Sequence, residues 1–191
     1  MDREQTGLTY VIFPTEMGHC GAVFRKERGR PLAVRVYLPA PPDMVVASIR
    51  REFPDAEENT GPLPELCHLI QRYLRGEDLE FPLELIDLSV VGPFQRAVLL
   101  VDREIPRGMV ASYAWVAGRL GNQGSRAVGN AQARNPFPIV VPCHRVIRSD
   151  GTLGGFGGGP NMKKRLLRLE GVYIDEHGHV SPPQIIRHYE N

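Results

Sequence analysis

The residues best suited to covalent chemistry lie together in Asn135-Pro136-Phe137-Pro138-Ile139-Val140-Val141-Pro142-Cys143-His144-Arg145-Val146. A thiol attacks only as its thiolate, and a neighbouring base or cation brings that form within reach of neutral pH. Cys143 is followed at once by His144 and Arg145, so a nucleophile, a base and a cation share one turn. Adjacent side chains diverge along the backbone, so His144 is expected to handle the thiol proton through a bridging water. Pro136, Pro138 and Pro142 restrict the backbone and are expected to shape a short apolar strand that delivers Cys143 at a rigid turn. Taken alone, Cys143 and His144 could also be a core cysteine beside a structural histidine.

Other stretches carry less. Gly154-Gly155-Phe156-Gly157-Gly158-Gly159 lacks the Lys-Ser/Thr ending of a phosphate-binding loop, and it reads better as a pocket wall rich in backbone N–H donors. His19-Cys20 and Cys67-His68 form two Cys/His pairs without the spacing of a zinc site, so neither a metal nor another cofactor is expected. The three cysteines argue against a disulfide framework and for a reducing compartment.

The elements that must position Cys143 come from hydrophobic patterning. Residues 93–191 carry 13 basic against 7 acidic side chains, whereas residues 1–92 carry 10 against 15, so the net charge of +1 hides a dipole. Within 93–170 there are 12 basic and 4 acidic residues, which places any phosphate-facing surface in the second half. In the first half, short apolar runs at 8–13, 21–25 and 32–38 predict strands, the last closed by Pro39, and helices are predicted over 44–53 and 63–75. Residues 54–62 read as an acidic loop. An apolar strand-like run ends at Val91-Gly92-Pro93, which marks a domain boundary.

Beyond it, Phe94, Ala97, Val98 and Val101 fall on one face of a helix over 94–104. Ser112 is a candidate N-cap for a helix over 113–120, and Ser125 for one over 126–133. A turn at 121–124 joins the two, giving a helix-turn-helix candidate. With 191 residues that are 42% hydrophobic and 24% charged, the chain is an ordinary globular protein and not a disordered or fibrous one. No apolar run approaches the ~20 residues that span a bilayer. A cytoplasmic protein, or a nuclear one in a eukaryote, is expected, with no membrane partner.

The motif Pro142-Cys143-His144-Arg145-Val146 resembles the active-site signature of the O6-alkylguanine-DNA alkyltransferases, the methylated-DNA–protein-cysteine methyltransferases. Gly92-Pro93-Phe94-Gln95, Ile105-Pro106-Arg107-Gly108, Ser112-Tyr113, Arg126-Ala127-Val128-Gly129-Asn130, Asn135-Pro136 and Gly151-Thr152-Leu153-Gly154-Gly155-Phe156 are similar to further family blocks and follow in family order. So do Lys163, Leu166-Leu167 and Glu170-Gly171. The resemblance covers about 88–172.

It implies an α/β two-domain protein: a small mixed α/β, RNase H-like packing domain over 1–87, a mainly helical catalytic domain with a winged helix-turn-helix over 88–172, and a surface extension over 173–191. It implies a monomer that acts on double-stranded DNA by single-turnover transfer of an alkyl group from O6 of guanine to Cys143. O4 of thymine is a further possible source of the group. The resemblance assigns the catalytic set as Cys143, His144, Glu170, Asn135, Tyr113 and Lys163. It assigns the pocket to Tyr113, Val146, Phe156 and Gly157, with the carbonyls of Cys143 and Val146 reading the guanine amino group. It assigns DNA contact to Ser112, Ser125, Arg126, Ala127 and Gly129. Phe156 stands where many relatives have tyrosine. An alkyltransferase-like protein that binds damage without transfer is the alternative, and such relatives lack the reactive cysteine.

Overall fold

Strand β1 (Thr9–Thr15), β2 (Gly18–Glu27) and β3 (Arg30–Ala40) form an antiparallel meander in the computed structural model, which describes residues 7–121 and 124–186. The chain divides into two compact units, Met1–Val90 and Val91–Asn191. In the first, the β2–β3 turn places Arg28 at φ 50° and Gly29 at φ 78°, the paired positive values that fit the right-handed twist of a two-residue hairpin. β3 runs past Pro39, which had been expected to close it. Because β3 is an edge strand in the order β3-β2-β1-β4, a proline lacking its N–H is tolerated there.

Helix α1 (Pro42–Glu52) starts on a proline in its first turn, earlier than the expected 44, because the locked φ of proline suits that position. It lays Val45 and Ile49 onto Tyr10, Val23 and Val34. Two further expectations fail in this unit. The acidic loop at 54–62 contains a two-residue strand, β4 (Glu57–Glu58), parallel to β1. Helix α2 (Glu65–Leu74) follows. The strand-like run before Val91 is instead a pair of 3₁₀ turns, Leu83–Leu85 and Leu88–Val90. The second forms because Asp87 Oδ1 accepts hydrogen bonds from the Ser89 backbone N (2.9 Å) and Oγ (2.6 Å), a local turn that competes with strand pairing.

In the second unit, α3 (Pro93–Asp102) again opens with proline. It buries Val98, Leu99 and Val101 but leaves Phe94 39% exposed, so Phe94 is not the core residue its spacing suggested. β5 (Val110–Ser112) leads directly into α4 (Tyr113–Arg119), where Ser112 Oγ accepts from Trp115 N at 3.0 Å, as an N-cap does. α5 (Ser125–Ala133) is preceded by Gly124 at φ 83°, so the capping position belongs to the glycine and Ser125 is already helical. The expected 121–124 turn includes residues 122 and 123, which lie outside the described residues. Val98, Val116, Val128 and Val146 join α3, α4 and α5 in one core.

β5 is the middle of a second sheet, flanked in parallel by β6 (Val146–Ile147) and β7 (Ile185–Ile186). α6 (Gly159–Leu169) covers it. Ile174 and Val180 are buried with Val110, Ile147, Leu167 and Val172. As far as residue 186, the segment beyond 172 is therefore part of this core and not an extension lying on the surface; 187–191 lie outside the described residues. Among the described residues no helix is long and apolar enough to cross a membrane.

Candidate active site

The segment before Cys143 is a tight loop and not a strand. Pro138 and Val141 make only an isolated bridge, Val141 N donates to Phe137 O at 2.8 Å, and Ile139 sits at φ 76°. A β-branched residue in the left-handed region costs of order 1–3 kcal/mol and persists only where its surroundings enforce it. Asn135 supplies that enforcement. Its Oδ1 accepts from Phe137 N (2.9 Å) and its Nδ2 donates to Val141 O (3.1 Å), which ties the two ends of the loop together. The same Nδ2 donates to Cys143 Sγ at 3.2 Å. Asn135 thus touches the sulfur as well as holding the turn.

Cys143 opens a 3₁₀ turn, Cys143–Arg145, after Pro142. Burial pushes its thiol up to about 12, and Asp102 adds to the rise, while the Asn135 hydrogen bond and the charge of Lys163 oppose it. Burial therefore favours the protonated thiol, and the thiolate forms as a base takes its proton. His144 is fully buried and its Nε2 donates to Glu170 Oε1 at 3.1 Å. That bond makes Nδ1 the basic nitrogen of the neutral ring. Burial holds His144 toward the neutral form, against the pull of Glu170. Burial would also raise Glu170, but hydrogen bonds from His144 and Arg145 reverse this and keep it ionised, well below the usual carboxylate range.

Arg145 was grouped with the thiol by sequence. It instead clamps Glu170 through Nε (2.9 Å to Oε2) and Nη2 (2.8 Å to Oε1), and its Nη1 donates to Ile105 O at 2.6 Å.

Lys163 is fully buried, unlike Lys164 and Arg165 beside it in the chain, because α6 turns that face inward. Its Nζ donates to Val146 O (2.5 Å) and Gly155 O (3.2 Å), and burial lowers its ammonium to about 8. The ammonium lies 6.0 Å from the Tyr113 ring centroid. Burial raises the Tyr113 hydroxyl, which stays protonated and donates to Gly155 O at 3.4 Å. Gly154, at φ 68°, passes so close that a Cβ there would meet the Tyr113 ring at 3.1 Å. A side chain at position 154 would be both strained in its backbone and crowded against Tyr113.

These groups enclose a cavity of about 190 Å³. Cys143 lines it together with Tyr113, Gly129, Gly155, Phe156 and Gly157. Phe156 meets the His144 ring edge-on at 6.3 Å. Val146, expected in the pocket, does not line it: its side chain is in the core and its carbonyl is engaged by Lys163. Arg126, Ser125 and Ala127 occupy the first turn of α5, the arginine and the serine exposed and Ala127 half-buried, while the Ser112 hydroxyl is committed to its cap.

Two further residues of this site escaped sequence reading. Asp102 and Gln132 are buried and hydrogen-bonded at 2.7 Å, and Gln132 lines the cavity. The available signal was spacing, since Asp102 lies four residues after Val98, on the buried face of α3. In the first unit, Cys20 and Cys67 are buried free thiols. Among the described residues no group of three or more His, Cys, Asp or Glu could hold a metal ion.

Residues 93–172 match the family model described as 6-O-methylguanine DNA methyltransferase, DNA binding domain. The methylated-DNA–protein-cysteine methyltransferase of Methanothermobacter thermautotrophicus is 46% identical over 113 residues, which span 59% of this chain and 64% of that protein's length. That of Methanosarcina acetivorans is 40% identical over 122 residues, 63% of this chain and 77% of that one. A crystal structure of Mycobacterium tuberculosis O6-methylguanine methyltransferase superposes with a TM-score of 0.66 at 30% identity, covering 85% of this chain and 92% of that one. The Mycobacterium tuberculosis OGT in complex with DNA gives 0.69 at 31% identity over the same shares.

Proposed function

The chain belongs to the methylated-DNA–protein-cysteine methyltransferase family, and from that premise we propose that it repairs DNA by direct reversal, moving a methyl or other alkyl group from O6 of guanine to its own Cys143. The observation that carries this reading is a buried thiol lining a cavity, hydrogen-bonded by Asn135 and followed by a His144–Glu170 pair.

The reaction is one in-line displacement. Cys143 Sγ attacks the alkyl carbon, the C–O6 bond breaks with its electron pair passing to guanine, and the thiol proton ends on the departing base. His144 takes that proton at Nδ1 through water, and Glu170, kept ionised by Arg145, stabilises the imidazolium and fixes the ring. Tyr113 donates its hydroxyl proton or a hydrogen bond to the leaving guanine; where it gives the proton, the His144 imidazolium restores it through water, so that the net transfer is of the thiol proton, and Lys163, 6.0 Å from the Tyr113 ring centroid, steadies the negative charge. Phe156 stacks on the base and Gly157 N–H faces O6. The carbonyls of Cys143 and Val146 accept from the guanine amino group, Val146 sharing its oxygen with Lys163. The product is a thioether with no ordinary reductive way back, so each chain acts once.

O6 in a stacked duplex is out of reach, so the base must rotate out at a cost of a few kcal/mol. Arg126, exposed in the first turn of α5, fills the gap, and Ala127 and Gly129 let the helix approach the minor groove. Ser125 and Ser112 mark the starts of the two helices that face the DNA. In this reading α4 and α5, followed by β6, form a winged helix-turn-helix, and the meander with its helices is an RNase H-like packing domain over 1–87. Catalysis belongs to 88–172. The protein works as a monomer on duplex DNA, in the cytoplasm or, in a eukaryote, the nucleus.

A duplex containing O6-methylguanine, incubated with limiting protein, is expected to lose methyl groups to a plateau of one per chain. Continued turnover, or tight binding with no methyl lost, overturns the reading, the second result being that of a damage-binding relative.

A further inference from the structure

Asp102, the last residue of α3, is 0% exposed, and Gln132, in the last turn of α5, is 8% exposed. Gln132 Nε2 donates to Asp102 Oδ1 at 2.7 Å. The second carboxyl oxygen, Asp102 Oδ2, and the amide oxygen, Gln132 Oε1, are buried with no hydrogen-bond partner among the described residues. A buried acceptor left unsatisfied forfeits its hydration for nothing, and here two of them sit on side chains already joined. One proton resolves both. A neutral carboxyl accepts on one oxygen and donates from the other, a primary amide does the reverse, and the pair closes a ring with two hydrogen bonds.

We propose that Asp102 is a positioning residue for alkyl transfer, a neutral acid on the acid side of neutrality that closes an acid–amide ring with Gln132, fixes α5 against α3 and keeps negative charge away from Cys143. Burial pushes this carboxyl up to about 7, against the opposing Gln132 hydrogen bond and the charge of Lys163. The titratable groups that face it are Lys163 from α6, the Cys143 thiol from the 3₁₀ turn and the Tyr113 hydroxyl from α4. On its own helix end, Arg103 is turned to Val140 O at 3.1 Å. An ionised Asp102 raises the Cys143 thiol, so protonation of Asp102 makes the thiolate easier to form. Gln132, Ala133 and Gly129 of α5 line the cavity, so the ring also sets the position of that wall.

The effect on rate rests on Cys143 being the alkyl acceptor, whereas the protonation state does not. Carbon-13 NMR of the side-chain carboxyls in the full chain, with Asp102 assigned by its loss in Asp102→Asn, reads that state directly. A midpoint near 7 is expected, where an unperturbed aspartate titrates near 4. An Asp102 already ionised at about pH 5 overturns the proposal. Asp102→Asn keeps the geometry and the donor to Gln132 Oε1 without the proton. In transfer from O6-benzylguanine it is expected to match the wild type at about pH 6 and to exceed it several-fold at about pH 8.5. Parallel profiles across that range would contradict the charge role. A chain that accepts no alkyl group at any pH refutes the acceptor role of Cys143 instead, and the carboxyl titration still decides Asp102.

Discussion

All three cysteines are buried, and burial raises all three thiols, Cys20 and Cys143 alike to about 12. Their surroundings differ. In the first unit Cys20 has the Thr15 hydroxyl, and the charge effect on Cys67 comes from Cys20 itself. In the second, Cys143 has an amide donor on its sulfur, the ammonium of Lys163 to favour its anion, and a cavity in front of it. Burial alone makes a thiol inert. A buried thiol becomes a nucleophile only with groups that hold its anion and space for the electrophile.

The contrast is broken most severely by substitution at the sulfurs. Cys143→Ala is expected to abolish methyl transfer to the protein, while Cys67→Ala leaves the stoichiometry unchanged and costs about 1 kcal/mol in urea unfolding. Loss of transfer in Cys67→Ala would mean that the first unit takes part in the chemistry.

The two units also differ in their buried carboxylates. Glu170 has His144 and three guanidinium contacts, whereas Asp87 meets Arg25 at 3.0 Å, and the Arg25 side chain is 40% exposed. Glu170→Gln leaves the largely enclosed Arg145 guanidinium, 13% exposed, without its charge partner and is expected to cost about 3 kcal/mol. Asp87→Asn keeps one solvated partner and should cost about 1–3 kcal/mol, both read by denaturant unfolding. The pH sign follows from Glu170 being depressed in the folded state: its contribution is present above the unfolded value of 4.5 and is lost as pH falls below it. Wild-type stability should therefore drop on acidification more steeply than that of Glu170→Gln. Equal slopes would remove Glu170 from the account.

How far these differences could be read in the sequence depended on chain distance. Cys143, His144 and Arg145 are neighbours, so their chemistry was visible from residue types, and Pro93 marked where the second unit begins. The Arg145 clamp was not visible, because its partner lies 25 residues away and a cation next to a cysteine reads first as serving the thiol. The loop before Cys143 read as a strand because Ile139, Val140 and Val141 favour one. Asn135 outweighs that propensity by bonding both ends of the turn. β7 was missed for the same reason as Asp102 with Gln132: a two-residue strand and a buried polar pair have meaning only through partners distant in the chain. Glu170 and Lys163 were found through the family blocks, and patterning alone made Lys163 one of a basic run.

A smaller effect separates chemistry from DNA handling within the second unit. Arg126→Ala is expected to slow transfer from duplex DNA about tenfold or more, since only a duplex base must be flipped. Transfer from free O6-benzylguanine should change less than about twofold, and stability by less than about 0.5 kcal/mol. Equal slowing of both substrates would place Arg126 in the chemistry and not in the flipping.

The central claim is that the sulfur of Cys143 is the alkyl acceptor. After incubation with a duplex bearing O6-methylguanine, proteolysis and peptide mass measurement should find one methyl group in place of the thiol hydrogen on the peptide containing Cys143, with those containing Cys20 and Cys67 unchanged. An unmodified Cys143 peptide, with the methyl group still on the DNA or carried on another residue, would contradict it.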